Sequence, residues 1–129
     1  MPLVTITMIK GRSKEIKKAI LAEMHDALVK CFKIPDRDRN QRIIEIEPEN
    51  YEFPSDRTEH CVTIELTVFP GRSLDAKRHL YKDIVERLEK LGVVSSEILI
   101  ILNEPPLDNW SIRGGVPASE TNIGFKLDV

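Results

Sequence analysis

The sequence lacks the features that would place it in a membrane, a secretory compartment or a nucleic-acid complex. Its 129 residues contain no apolar run approaching 18 residues, and no signal-peptide-like stretch opens the chain. The 19 Lys and Arg and 21 Asp and Glu are interspersed, so no basic stripe is offered to nucleic acid or a membrane surface. The two cysteines, Cys31 and Cys61, show no paired spacing. We therefore expect a soluble cytoplasmic protein with reduced thiols, and a disulfide between these two residues is the alternative.

Signatures of metal and cofactor binding are missing as well. The three histidines, His25, His60 and His79, have no partner at ligand spacing, so we assign no metal. The sequence has no Walker loop, no dinucleotide fingerprint and no Gly-x-Ser-x-Gly elbow. We therefore expect a protein that works without metal or cofactor.

The first third of the chain has the pattern of a β-α-β unit. Residues 3–9 (LVTITMI) predict a strand that is closed by the turn 10–13, and Ser13 is a natural helix N-cap. Apolar residues then recur at three- and four-residue spacings, which predicts a helix of about five turns. Residues 34–36 (IPD) stop that helix, and residues 42–47 (RIIEIE) predict a second strand.

A second unit repeats the first at a shift of 60 residues. Residues 61–69 (CVTIELTVF) predict a strand, Ser73 caps a second helix, and residues 98–102 (ILIIL) predict the closing strand. The closing strand is apolar on both faces, which predicts a central position in the sheet. Across residues 7–17 and 67–77 five of eleven positions are identical, Gly-Arg-Ser among them.

The repeat predicts one α/β domain over residues 1–129, with its two units at 1–47 and 61–102. Each crossover should be right-handed and its two strands parallel. We therefore expect one four-stranded mixed sheet with both helices on one face. Residues 103–129 are rich in Pro and Gly and hold the only Trp, which predicts a shaped loop with a short final strand at 123–129.

Pro2 is the residue with the most distinctive chemistry. Methionine aminopeptidases generally remove Met1 when residue two is as small as proline, which leaves a free secondary amine at the start of a strand. An α-amino group titrates near 8, and burial or nearby arginines favour its neutral form. Such a neutral amine is a suitable general base for a proton on carbon next to a carbonyl.

Three features together resemble the tautomerase superfamily. They are Pro2-Leu3-Val4 opening a strand, Gly-Arg-Ser before a helix, and the segment 110–115 (WSIRGG). Short members such as 4-oxalocrotonate tautomerase are single β-α-β units, and long members are tandem fusions like this chain. The length, the segment 34–41 (IPDRDRNQ) and the tryptophan segment are most similar to the malonate semialdehyde decarboxylase branch.

The resemblance implies roles for individual residues. Pro2 matches the catalytic amine, and Arg72 matches an arginine that binds the substrate carboxylate, a task suited to the planar guanidinium fork. The alternative for Arg72 is a solvated arginine at the start of a helix. Arg12, its repeat-mate, matches a position that a neighbouring subunit supplies in short members, so it is the weaker candidate for substrate binding.

The same resemblance extends to a carboxylate and an aromatic wall. Asp38 matches a carboxylate that lies near the proline in the decarboxylase branch, and a plain turn residue is the alternative. Trp110 with Ile112 would wall the pocket and exclude water, unless Trp110 only packs under the C-terminal loop. One position departs from the decarboxylase pattern, because Pro70 stands where that branch has a second arginine.

Three functions follow from the resemblance. The first is keto–enol tautomerisation of a small 2-oxo acid, with neutral Pro2 as general base. The second is lyase chemistry of the decarboxylase or hydratase type, with cationic Pro2 and Asp38. The third is a non-catalytic trimeric binding protein. The resemblance also implies a homotrimer, in which the exposed sheet edges are covered.

Overall fold

The computed structural model describes residues 2–129, which form a four-stranded sheet with two helices on one face. The strands and helices are β1 (Leu3–Ile9), α1 (Lys14–Phe32), β2 (Gln41–Ile46), β3 (Val62–Thr67), α2 (Leu74–Glu89) and β4 (Ile98–Asn103). The predicted β-α-β order is confirmed, with strand bounds within two residues of those expected. None of the helices in this range is long and apolar enough to cross a membrane.

The sheet has the order β2-β1-β3-β4. Within each unit the strands are parallel, and the units meet through antiparallel pairing of β1 and β3. In that central pairing Leu3 lies opposite Thr67 and Met8 lies opposite Val62. The start of β1 therefore lies beside the end of β3, and the start of β3 beside the end of β1.

The position expected for the last strand is wrong, because β4 is an edge strand. Its pairing with β3 places Ile98, Ile100 and Leu102 on the helix-covered face. Leu99 and Ile101 face the other way and are 48% and 40% exposed. The apolar residues on both faces of β4 thus come from a core-facing row and two exposed side chains, rather than from a central position.

The hydrophobic core lies between the sheet and the two helices. Alternate residues of the central strands are fully buried, as are the inner faces of α1 and α2. The largest of these side chains are Ile6, Met8, Ile20, Met24, Leu28, Phe32, Ile64, Leu66, Leu80, Ile84 and Leu88. Burial of side chains of this size contributes about 1.5–3 kcal/mol each, which is the main stabilisation of the fold.

The two Gly-Arg-Ser turns have nearly the same backbone geometry, which confirms the predicted repeat. Gly11 and Gly71 both have positive φ, 147° and 125°. Ser13 (φ −67°, ψ 159°) and Ser73 (φ −70°, ψ 162°) cap their helices, and each side chain accepts a hydrogen bond from the amide three residues on. The two turns therefore start α1 and α2 in equivalent positions relative to the strands that precede them.

The final strand expected at 123–129 is wrong, since residues 104–129 contain only two short 3-10 turns. The tail crosses the second Gly-Arg-Ser turn instead of pairing with a sheet edge. Ser73 N donates to Val129 O at 2.9 Å, and a Cβ added to Gly71 would meet Leu127 at 3.1 Å. The missing side chain of Gly71 allows this close approach.

Candidate active site

Two loops converge on the buried Pro2 at the start of β1. Val4 N donates to Asn40 O at 3.0 Å, which holds the loop after α1 against this end of the sheet. Because Leu3 lies opposite Thr67, the segment that follows β3 arrives at the same place. We call this region the Pro2 end of the sheet.

A cavity of about 430 Å³ opens at the Pro2 end. The loop after α1 contributes Arg37 and Asp38 to it, and Phe69 follows β3. The C-terminal segment supplies Ile112, Arg113 and Phe125 to the remaining wall. The cavity thus combines two guanidinium groups and a carboxylate with apolar walls, which is the composition expected of a site for a small carboxylate.

Arg72 lies inside the protein at this end and is only 6% exposed. Its Nη1 donates to Phe69 O at 3.1 Å and its Nη2 to Phe32 O at 3.2 Å. The guanidinium carbon lies 4.9 Å from the ring centroid of Phe32 and 5.7 Å from that of Phe125. Burial lowers its pKa, and Glu104 opposes that shift. The alternative of a solvated arginine is therefore wrong.

One nitrogen of this guanidinium has no internal partner. Within residues 2–129, Nε of Arg72 is buried and makes no hydrogen bond. The ring of Phe125 both contacts Arg72 and lines the cavity, so it lies at the boundary between them. A fixed positive charge is thus held close behind the cavity wall.

Arg12 lies at the opposite end of the sheet, because it follows the end of β1. Its Nη2 donates to His60 O at 2.7 Å. Burial lowers the pKa of Arg12, and Cys61 and Glu97 oppose that shift. Within one chain, therefore, Arg12 does not join Pro2 and Arg72 in a single site.

Trp110 supports the cavity from behind. Its ring meets Phe69 edge to face with centroids 4.8 Å apart, and its Nε1 donates to Pro105 O at 3.1 Å. Ile112, two residues on, lines the cavity directly. The tryptophan segment therefore contributes both packing and wall, with the two roles on different residues.

His25 fixes the loop that carries Asp38. Its side chain is buried in α1 at 1% exposure, and Nε2 lies 3.0 Å from Asp36 Oδ1. Because a carboxylate accepts, we assign the proton to Nε2. Nδ1 is buried without a partner among the described residues.

The sequence did not single out Arg37, Arg113, Phe69 or Phe125 as site residues. Arg113 lies within the tryptophan segment and Arg37 next to Asp38, so adjacency to candidate residues was the available signal. No group of three or more His, Cys, Asp or Glu able to hold a metal occurs in residues 2–129.

Comparisons with known proteins give a consistent result. Two family models, each described as tautomerase enzyme, match residues 2–57 and 38–113. The chain is 30% identical over 122 residues to the probable tautomerase YrdN of Bacillus subtilis (strain 168), covering 89% of this chain and 93% of that protein. The crystal structure of FG41 malonate semialdehyde decarboxylase inhibited by 3-bromopropiolate is 30% identical, with a TM-score of 0.80 over 91% of this chain and 92% of that one.

A more distant structure shares the fold. The asymmetric trimer of R7 fused 4-OT has a TM-score of 0.82 at 18% identity, covering 91% of this chain and 96% of that one. The relative and the two structures each match about nine tenths of this chain, so these similarities extend across both β-α-β units.

Proposed function

Because this chain belongs to the tautomerase superfamily, we propose that it is an isomerase for keto–enol tautomerisation of small 2-oxo acids, with Pro2 as general base. The observation that carries the proposal is the position of Pro2. It is buried at the start of β1, at the end of the sheet where the arginine-lined cavity opens. The amine requires removal of Met1, which lies outside the described residues.

The surroundings of Pro2 favour a neutral amine. Burial disfavours the charged form of any amine, and cations nearby disfavour it further. Arg72 supplies such a cation behind the wall, and Arg37 and Arg113 supply others in the cavity. A neutral nitrogen at pH 7 has a lone pair that can accept a proton from carbon.

We assign the substrate carboxylate to the guanidinium groups at this end. Arg72 is the proposed anchor for one carboxylate oxygen through its buried Nε–H, which lacks an acceptor among the described residues, and it reaches the substrate only if the ring of Phe125 moves aside. Arg37 and Arg113 line the cavity itself and would complete the binding of the two carboxylate oxygens. Arg12 reaches such a site only if a neighbouring chain supplies it.

The proposed reaction moves one proton in two steps. The Pro2 nitrogen takes a proton from C3 of the 2-oxo acid, and the C3–H electron pair forms the C2–C3 double bond of an enolate. The proton then passes to the enolate oxygen to give the enol. Arginine charge stabilises the developing oxyanion, and Ile112 and Phe69 keep the site poor in water.

Ketonisation of enol-phenylpyruvate tests this proposal. With protein whose mass shows loss of Met1, Pro2→Ala should lower kcat/KM by about a hundredfold or more, the usual contribution of general base catalysis. Pro54→Ala, on the exposed loop between the units, is the matched control and should retain the native rate. Equal rates for native protein and Pro2→Ala would end the proposal.

Lyase chemistry of the decarboxylase or hydratase type is the second candidate. It is favoured by Asp38, which lines the cavity, and by the identity to FG41 malonate semialdehyde decarboxylase. In this case Pro2 would be cationic and Asp38 would prepare water. Release of CO₂ from malonate semialdehyde, lost in Asp38→Asn, would favour this candidate over tautomerisation.

A non-catalytic binding protein is the third candidate. Retention of Met1 in cells would favour it, because a peptide-bonded nitrogen on Pro2 has no basic lone pair. Intact mass of protein purified from its native source decides this point: loss of one methionine supports an enzyme, and a retained methionine supports the binding protein.

We propose that the chain assembles as a homotrimer through the open face of the sheet. Ile44 on one edge strand and Leu99 and Ile101 on the other are exposed on that face, and exposed large apolar side chains can mark an interface. The fused 4-OT structure, which shares the fold, is a trimer.

Sedimentation of a Leu99→Lys variant tests the assembly. The native protein should sediment as a trimer at micromolar concentration and the variant as a monomer. Leu74→Lys, at a leucine on α2 that is also exposed, is the control and should remain trimeric. A native monomer would contradict the proposal.

A further inference from the structure

The end of the sheet opposite Pro2 has two cavities of its own. They measure about 280 Å³ and 600 Å³, and Arg12 and His60 line both. We call this region the Arg12 end. The guanidinium of Arg12 therefore stands between two open spaces, whereas Arg72 is enclosed.

The repeat relates the two ends to each other. At the shift of 60 residues Arg12 corresponds to Arg72 and Val62 corresponds to Pro2. The antiparallel pairing of β1 with β3 places the start of each strand beside the turn that follows the other. Arg12 accordingly bonds the carbonyl of His60, two residues before β3 reaches Val62. The Arg12 end is a second copy of the place that holds the cavity at the Pro2 end.

The second copy cannot perform the proposed chemistry. Val62 is the first residue of β3 but lies inside the chain, so its nitrogen is a peptide nitrogen without basic character. A guanidinium and a cavity are nevertheless retained. The Arg12 end therefore has groups that can bind an anion but no amine that can transfer a proton.

The Arg12 guanidinium has donors to spare. Within the described chain its one hydrogen bond is to His60 O, although the group carries five N–H donors. Glu97, the carboxylate that lines the larger cavity, already accepts hydrogen bonds from Thr58. Its oxygens accept from Thr58 N at 3.0 and 3.1 Å and from Thr58 Oγ1 at 2.9 Å. Arg12 is therefore available to an external anion while Glu97 is held by Thr58.

The walls of the larger cavity indicate the kind of anion. Ile16, Leu91 and Val94 provide an apolar surface, and Ser96 adds a hydroxyl. Glu97 disfavours a second negative charge. We propose that the Arg12 end is a non-catalytic binding site for short-chain monocarboxylates, with the carboxylate on Arg12 and the alkyl chain against the apolar wall. This inference does not rest on catalysis at Pro2.

Amide NMR with butyrate as the probe tests the site. In a carboxylate-free buffer, butyrate should shift the amides of Gly11, His60 and Ser96 with one saturating curve. Butyramide, which has the same shape without the charge, should not. Because amides are assigned to residues, these shifts are distinguishable from any that butyrate causes at the Pro2 end.

Two variants make the test specific. Arg12→Gln keeps a donor for His60 O but loses the charged fork, so butyrate should bind at least about tenfold more weakly at this end. Lys14→Gln removes an exposed charge nearby that lines neither cavity, and its curve should match the native one. Absence of saturating shifts at the Arg12 end of the native protein, or an unchanged curve in Arg12→Gln, would overturn the proposal.

Discussion

Arg12 and Arg72 stand at equivalent positions of two turns whose capping serines differ by only a few degrees in φ and ψ. Their surroundings differ much more. Arg72 is enclosed by Phe32, Phe125 and two backbone carbonyls, whereas Arg12 makes one hydrogen bond and borders two cavities. The tail of the chain accounts for much of this difference, because it supplies Phe125 and Leu127 to the second turn alone.

This comparison shows how a duplicated unit acquires two roles. The local sequence Gly-Arg-Ser sets the turn and the helix cap in both copies. Segments distant in sequence then decide whether the arginine is buried or accessible. Removal of each arginine in turn tests most directly whether the two environments differ.

Arg72→Ala should destabilise the protein much more than Arg12→Ala. Loss of Arg72 leaves the carbonyls of Phe32 and Phe69 unpaired and buried, at a cost of about 2–4 kcal/mol in the free energy of unfolding. Loss of Arg12 removes one hydrogen bond at a more open position, which should cost about 1 kcal/mol or less. Urea unfolding measures both, and equal losses would show that the two environments are energetically alike.

His25→Leu should weaken catalysis at the Pro2 end without a matching effect at the other end. The substitution removes the bond to Asp36 and frees the loop that carries Asp38, so kcat/KM for the tautomerase assay should fall about fivefold. Val85 is the repeat-mate of His25, and Val85→Leu is the control that should leave kcat/KM unchanged. An unchanged rate in His25→Leu would mean that Asp36 does not position the cavity loop.

The lysines one turn into each helix should behave alike, in contrast to the arginines. Lys17 binds Glu45 at 2.8 Å and Lys77 binds Glu104 at 2.6 Å, and all four side chains are about one quarter exposed. Lys17→Met and Lys77→Met should each cost about 0.5 kcal/mol in unfolding free energy. Thermal unfolding at low and high salt measures this, and a large difference between the two variants would contradict the equivalence of the units.

The sequence was sufficient for the parts of the fold that local patterns determine. The period of the strands, the Ser13 and Ser73 caps and the repeat of Gly-Arg-Ser each reflect interactions within a few residues. The edge position of β4 and the course of residues 123–129 were not predictable in this way. They depend on which segments pair across the whole chain, and an apolar pattern does not distinguish a central strand from an edge strand with an apolar open face.

The residues of the candidate site also fall into those that local motifs predict and those that depend on packing between distant segments. The matched motifs predict Pro2, Asp38 and Ile112; Asp38 and Ile112 line the cavity, and Pro2 is buried just before β1 and is not among the lining residues. The enclosure of Arg72 and the presence of Arg37 and Arg113 in the cavity wall follow from loop packing, which no spacing rule encodes. Arg12 is the weaker candidate in sequence, through its repeat relation to Arg72 and its match to a position that a neighbouring subunit supplies in short members.

The central claim is a free, neutral proline nitrogen beside the arginine-lined cavity. Titration of protein labelled with ¹⁵N-proline, followed by NMR at the Pro2 nitrogen, tests it most directly. We predict a single titration with a midpoint well below about 8, the ordinary value for an α-amine. A nitrogen that does not titrate, or one that stays protonated through pH 8, would contradict the claim.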